Sequence, residues 1–206
     1  MCYSVNISKT AAQIEAYYRK THAGKFPFFP MDMISGFTQP FLPIISSKEQ
    51  DKLITAQWGF NVDWIKTPIL NAKSEELKDK ITFSNITENR CLLPIDGFYE
   101  WKWLDHKGKT KQTHLLKHPD QNLFSLAGIY REFTNETLQE TYSQFVVLTT
   151  QAIGIMEEVH NSKKRMPIAF FDKNKGEEFL NGGSQEGDYE FLALPDEIPG
   201  GQMDLF

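Results

Sequence analysis

Four runs between residues 90 and 150 constrain the fold most: CLLPIDGFYEWKW, THLLKH, LFSLAGIY and YSQFVVLTT. They are rich in aliphatic, β-branched and aromatic residues, and polar intervals such as HPDQN and TNETLQE separate them at hairpin spacing. Strands joined by short turns pair antiparallel, so the centre of the chain is expected to be β-dominated. Around it, AAQIEAYYRK carries helical spacing with Ser8 as its cap, NAKSEELKDK (71–80) has a helix-start character, and QAIGIMEEVH fits a short amphipathic helix. RMPIAFF returns to strand, while the Phe- and Pro-rich stretch 26–47 reads as extended segments and turns. The last thirty residues, with NGG and EIPGG, read as a helix remnant and a tail. The fold class is α+β: one β-rich domain with mainly antiparallel strands and a few short helices. It is expected to cover residues 2–180, with an acidic C-terminal tail over 181–206.

At 206 residues and 40% hydrophobic content the chain supports one core without disulfide staples. No apolar run reaches the roughly 18–20 residues a membrane span needs, and MCYSVNISKT lacks the apolar core of a signal peptide. With two cysteines and no export signal, a reducing, cytoplasmic location is expected. The net charge of −5 is unevenly distributed: all 22 Lys and Arg lie within residues 1–175 against 19 acids, and 176–206 holds eight acids and no base. The body is therefore weakly cationic. Lys102, Lys107, Lys109, Lys111 and Lys117 cluster around His106, His114 and His118, and Lys163, Lys164 and Arg165 form a second basic group, which leaves room for a phosphate-binding groove.

Cys2 is the most informative single residue. Initiator methionine is normally removed before a small side chain, so the mature chain is expected to begin with Cys2. It would then carry an amine and a thiol on adjacent carbons. Such a pair condenses with an aldehyde to an imine and closes to a five-membered thiazolidine. Reference pKa values of about 7.7–8.0 for the amine and about 8.5 for the thiol leave little of either as nucleophile at pH 7, so neighbouring acid–base groups would help. Glu100 stands among Phe98, Tyr99, Trp101 and Trp103, where burial would raise its pKa toward a useful range. Cys91, before Leu92-Leu93, reads as a buried structural thiol. No metal-ligand grouping, phosphate-binding loop, dinucleotide fingerprint or G-x-S-x-G elbow is present, so no metal and no cofactor is expected.

Met1-Cys2, the WGF…W segment with Trp58 and Trp64, NAKSE (71–75), RCLLPIDGFYEW (90–101) and His160 ahead of RMPIAF (165–170) occur in this order. In that combination the chain resembles the SRAP (SOS response-associated peptidase) family over about residues 2–171. The resemblance implies a single β-rich α+β domain that shields abasic sites in single-stranded DNA by covalent attachment through the N-terminal cysteine. It implies an enzyme with lyase-like DNA–protein crosslinking and autopeptidase activity, acting as a nucleoid-associated monomer. Carried over, Cys2 is the nucleophile that forms a thiazolidine with C1′ of the ring-opened deoxyribose. Asn71 positions the amine or the sugar, Glu100 shuttles protons, His160 assists ring opening, and Arg165 contacts a phosphate. Trp58 and Trp64 match the family's W-G…W pair, in which an indole stacks on a base; core packing is the plainer alternative, favoured for Trp64. Lys73 stands where the asparagine motif usually has arginine, Ser4 where many members carry a phosphate-binding arginine, and HNSKKRMP is three residues longer than H-x-R-M-P. Lys163 and Lys164 are candidates to bind phosphate in place of those arginines.

Two other readings use the same residues: a cysteine peptidase built on Cys2, His160 and Asn71, and a non-covalent single-stranded DNA binder. Finally, Gln202-Met203-Asp204-Leu205-Phe206 resembles the bacterial sliding-clamp-binding peptide Q-L-[S/D]-L-F. Gln202 would fix register and Leu205-Phe206 would fill an apolar clamp pocket.

Overall fold

Along Lys111–Lys117 the side chains of KQTHLLK pass from exposed to buried and semi-buried in alternation, the period of a half-covered strand. RCLLPI over Arg90–Ile95 is buried throughout, as a strand covered on both faces must be. The computed structural model describes residues 2–137 and 139–196. In chain order the elements are β1 (Ser4–Ile7), α1 (Ala11–Tyr18), β2 (Thr21–His22), β3 (Met31–Ser35), β4 (Phe41–Ser46), β5 (Lys52–Trp58), β6 (Phe60–Val62), β7 (Ile65–Ile69) and β8 (Asn71–Lys73). They continue with β9 (Arg90–Ile95), β10 (Gly97–Trp103), β11 (Lys111–Lys117), β12 (Phe124–Asn135), β13 (Glu140–Gln151), α2 (Ile155–Val159), β14 (Arg165–Pro167), β15 (Ala169–Phe170), α3 (Lys173–Leu180) and β16 (Leu192–Asp196).

Five strands close into a ring. β13 pairs with β12, β12 with β9, β9 with β4 and β4 with β5, all antiparallel, and β5 meets β13 in parallel. Closure leaves these strands no open edge over the paired segments and encloses a core that includes Phe145, Trp58 and Ile44. β8 and β14 attach to β13, β15 to β12 and β2 to β5. A second sheet runs in the order β16-β11-β10-β1-β3. The chain passes between the two sheets at Asp96, whose carboxylate accepts from Ser8 N at 2.6 Å and Lys9 N at 3.3 Å. That buried acid holds the end of β1 against the start of β10. The α+β, mainly antiparallel expectation is the observed architecture.

Three local expectations change. The first helix is capped by Thr10, not Ser8: Thr10 and Gln13 form a reciprocal capping box, while Ser8 N is taken by Asp96. Residues 71–80 do not start a helix. Asn71-Ala72-Lys73 pair in parallel with Val147–Thr149, and only a 3₁₀ turn follows at Ser74–Glu76. The body does not end at 180 either, because Leu192–Asp196 forms the edge strand against β11, so residues 181–196 are part of the domain. Acidic composition suggested a tail, but the apolar run Phe191-Leu192-Ala193-Leu194 carries a strand. Met1 and the peptide with Gln202, Leu205 and Phe206 lie outside the described residues.

Candidate active site

The antiparallel register Ser4↔Tyr99 and Val5↔Phe98, continued back along β1, sets Tyr3 across from Glu100 and Cys2 across from Trp101. Cys2 thus meets the edge of β10 one residue beyond Glu100. Its side chain is fully buried and donates a long S–H···O contact of 3.9 Å to Ser4 O. Burial, and then the nearby Glu100 charge, push the Cys2 thiol well above its ordinary pKa, so it rests protonated. Glu100 is 3% exposed, and burial pushes its carboxyl up to about 7. A carboxyl held there exchanges a proton readily at neutral pH. On its other side, β11 sets His114 directly across from Glu100.

Beyond Cys2 the edge of β10 takes a different partner. Trp103 N donates to Asn161 Oδ1 at 3.0 Å, and Asn161 Nδ2 donates to Trp103 O at 2.9 Å, so one carboxamide continues the ladder in place of a backbone. The residue before it, His160, ends α2 and is thereby held beside β10. The three additional residues Ser162-Lys163-Lys164 are looped out in a single turn: Lys164 N donates to His160 O at 2.9 Å, and Lys164 sits at φ +48°. His160 Nδ1 lies 2.5 Å from Arg165 O. Arg165 N approaches the same nitrogen at 3.3 Å, so both polar groups of the Arg165 backbone hold the ring in one orientation. Burial lowers the His160 pKa to about 4, and the positive charges of Lys163 and Arg165 add to this, so the ring is neutral at physiological pH.

Arg165 links this corner to β8. Its guanidinium makes a two-pronged ion pair with Glu75, the second contact at 3.1 Å, and donates to Thr149 O at 2.6 Å. That ion pair holds the Glu75 carboxyl below the usual carboxylate range. Arg165 is therefore a clasp between β14, β13 and the turn after β8, and not a free phosphate contact. On β8, both polar atoms of the Asn71 carboxamide are buried without a hydrogen-bond partner among the described residues. Unsatisfied buried amides are costly, so an amide left in this state is a candidate to bind a ligand. Lys73 pairs with Glu76 at 2.5 Å, which occupies its charge.

The two indoles exchange the roles the sequence suggested. Trp58 is fully buried, donates Nε1–H to Leu70 O at 3.0 Å and stacks on Phe145, so it cannot reach a base. Trp64, at the tip of the β6–β7 hairpin, is 65% exposed and is the indole available for stacking. Lys163 and Lys164 are exposed. Cys91 is buried, as a structural thiol would be. Sequence reasoning overlooked Asn161, Glu75 and Thr149. NAKSE contained Glu75 in plain view, but its partner lies 90 residues away, and nothing local announces that pairing. Among the described residues no group of three or more His, Cys, Asp or Glu is placed to hold a metal ion, and no helix is long and apolar enough to cross a membrane.

The chain that folds into this barrel and flanking sheet matches the family described as SOS response associated peptidase (SRAP) over residues 1–205, and it belongs to that family. Among its relatives, the abasic site processing protein YoqW of Bacillus subtilis (strain 168) is 33% identical over 158 residues, covering 74% of this chain and 67% of that protein. The abasic site processing protein YobE of the same organism is 33% identical over 165 residues, covering 77% and 72%. A crystal structure of a Bacteroides thetaiotaomicron protein superposes with a TM-score of 0.73 at 25% identity, over 87% of this chain and 80% of that one. A Bordetella bronchiseptica protein shares the fold at TM-score 0.78 and 16% identity, over 96% and 100%.

Proposed function

We propose that this protein recognises abasic sites in single-stranded DNA and forms a covalent thiazolidine crosslink through Cys2, shielding the lesion during replication or the DNA damage response. With Met1 removed, the Cys2 α-amine attacks C1′ of the ring-opened deoxyribose. The carbinolamine loses one water to give an imine. The thiol then adds across the C=N bond: a C–S bond forms, the thiol proton leaves to a base, and the nitrogen gains a proton. Glu100, titrating near 7, can supply the proton that expels water and accept the one the thiol gives up. His160, kept neutral by burial and oriented by the Arg165 backbone, can take the sugar hydroxyl proton when the furanose opens. The Asn71 carboxamide offers a donor and an acceptor to the opened sugar.

The observation that carries this reading is the placement of a cysteine at position 2, thiol buried, within the field of a carboxyl held near neutrality. The names of the relatives agree with it. The same placement disfavours a thiol peptidase, which needs a depressed thiol pKa where burial and Glu100 raise this one. The test is intact-mass spectrometry of the purified protein after incubation with an abasic oligonucleotide. A chain starting at Cys2 should gain the oligonucleotide mass less one water and keep it on heating. Cys2→Ala should yield no such species, and a full, heat-stable yield from that variant would remove the thiazolidine.

A further inference from the structure

The β10–β11 hairpin ends in a loop whose shape is set by one side chain. The Asp105 carboxylate accepts from the backbone N–H groups of Lys107 at 2.8 Å, Lys109 at 3.3 Å and Thr110 at 2.5 Å. Gly108 sits at φ +64° flat against the Trp103 ring, where an added Cβ would lie 2.6 Å from ring atoms, so the loop is folded down onto the indole and admits no other residue there. The lysines it carries are therefore presented outward on an ordered turn. Lys107, Lys109 and Lys111 are exposed, as are Lys163 and Lys164 on the neighbouring loop. None of these five has an acidic partner among the described residues, in contrast to Lys20, Lys52, Lys73 and Lys175, which all do.

Between the two loops lies an open cleft of about 480 Å³, lined by Trp103, Leu104, Asp105, His106, Asn161 and Ser162, with the Asp105 carboxylate taken up by the loop's own N–H groups. Leu104 is 56% exposed, an apolar surface with no cover among the described residues. The cleft also has a fixed position relative to the chemistry. Trp103 is three residues from Glu100 on the same strand, about 10 Å along it. The carboxamide that holds the 161–164 loop to Trp103 follows Cys2 along the same edge of β10.

We propose that this cleft is a nucleotide subsite for the single strand flanking the lesion: a base enters between Leu104 and His106, and its phosphates lie against Lys107, Lys109, Lys163 and Lys164. The inference rests on the reading of the Cys2 site as one that acts on single-stranded DNA. An open cleft with an exposed leucine and an imidazole, flanked by loops that carry lysines without acidic partners among the described residues, is what a nucleotide needs, since stacking is tolerant of sequence and the charges track the backbone. Ser162, the first residue of the three-residue extension, lines the cleft and Lys163 and Lys164 follow it, so this subsite borders the segment that departs from H-x-R-M-P spacing.

Binding of the full-length protein to intact oligothymidylates of 4 and 12 nucleotides, by fluorescence anisotropy across a salt series, tests it. Lys107→Ala/Lys109→Ala and Lys163→Ala/Lys164→Ala should each weaken 12-mer binding roughly tenfold and lower the slope of log affinity against log salt by about 1.4. Leu104→Ser/His106→Ala should weaken it with the slope unchanged. Unaltered 12-mer affinity in all three variants would overturn the subsite, and so would equal losses on the 4-mer, which would place the lysines at the lesion itself. Adduct formation by the unsubstituted protein on abasic DNA is scored separately: its absence would remove the crosslinking chemistry, while the binding series would still decide the cleft.

Discussion

Replacing Glu100 by glutamine should stabilise the protein at alkaline pH while slowing its chemistry. The carboxyl titrates near 7 in the folded chain against an ordinary value of 4.5, with burial as the main cause. At 1.36 kcal/mol for each pH unit of that difference, ionising Glu100 in the fold costs about 3 kcal/mol. The sign follows from proton counts. Between pH 4.5 and 7 the unfolded chain has released this proton and the folded chain keeps it, so stability falls as pH rises through that window and levels off above it. A glutamine amide at this position cannot ionise and escapes the penalty. Urea unfolding of both proteins at pH 4.5 and pH 8 isolates the effect, because any fixed cost of the amide cancels in the difference. Glu100→Gln relative to wild type should gain about 3 kcal/mol more at pH 8 than at pH 4.5, or roughly 6–12 °C in Tm for a chain of this size. Adduct formation should slow about 10²-fold. A stability difference that does not change with pH would refute the buried, raised carboxyl, and with it the proton shuttle assigned to Glu100.

The architecture was legible where local pattern and final environment agree. The four central runs became β9 to β13 because their alternation and turn residues leave little else for them to do. Cys2 and Glu100 were readable for a different reason: their chemistry is unusual for their position, and the β1–β10 register then brings them together. What failed depended on partners far away in sequence. Residues 71–73 have acids after them that read as a helix start, but parallel pairing with β13 supplies their hydrogen bonds and overrides propensity. The family resemblance assigned Arg165 a phosphate contact, and the basic cluster around it announces charge and not its counterion. Glu75 reaches it only once β8 and β14 both lie on β13. Trp58 and Trp64 are indistinguishable by residue type; one follows a barrel strand inward and the other sits on an open hairpin. The extended HNSKKRMP segment shows the converse. Insertion length was visible, but not that Lys164 at a positive φ would absorb it and leave Arg165 O on the His160 ring.

Asn71→Ala should cost under about 1 kcal/mol of stability, since its buried carboxamide has no hydrogen bond to give up among the described residues, yet slow adduct formation at least tenfold; a large drop in Tm would mean the amide is structural. Trp58→Ala should destabilise by about 3–5 kcal/mol, whereas Trp64→Ala should leave the melting curve in place and weaken single-strand binding by about 1–3 kcal/mol, as calorimetry and anisotropy would show. The last expectation concerns Gln202-Met203-Asp204-Leu205-Phe206, which we propose as a tether to the bacterial sliding clamp. β16 fixes Asp196 to Thr113 on β11, so the peptide is joined to the domain by a short run that ends in Pro199-Gly200-Gly201. A clamp would bring the protein to the lesions that the proposed function assigns to it, and the high local concentration would matter more than the modest affinity of one short peptide. A labelled 196–206 peptide should bind a sliding clamp in fluorescence polarisation and lose that binding with Leu205→Ala or Phe206→Ala. No signal at tens of micromolar, or a signal indifferent to both substitutions, would refute the tether.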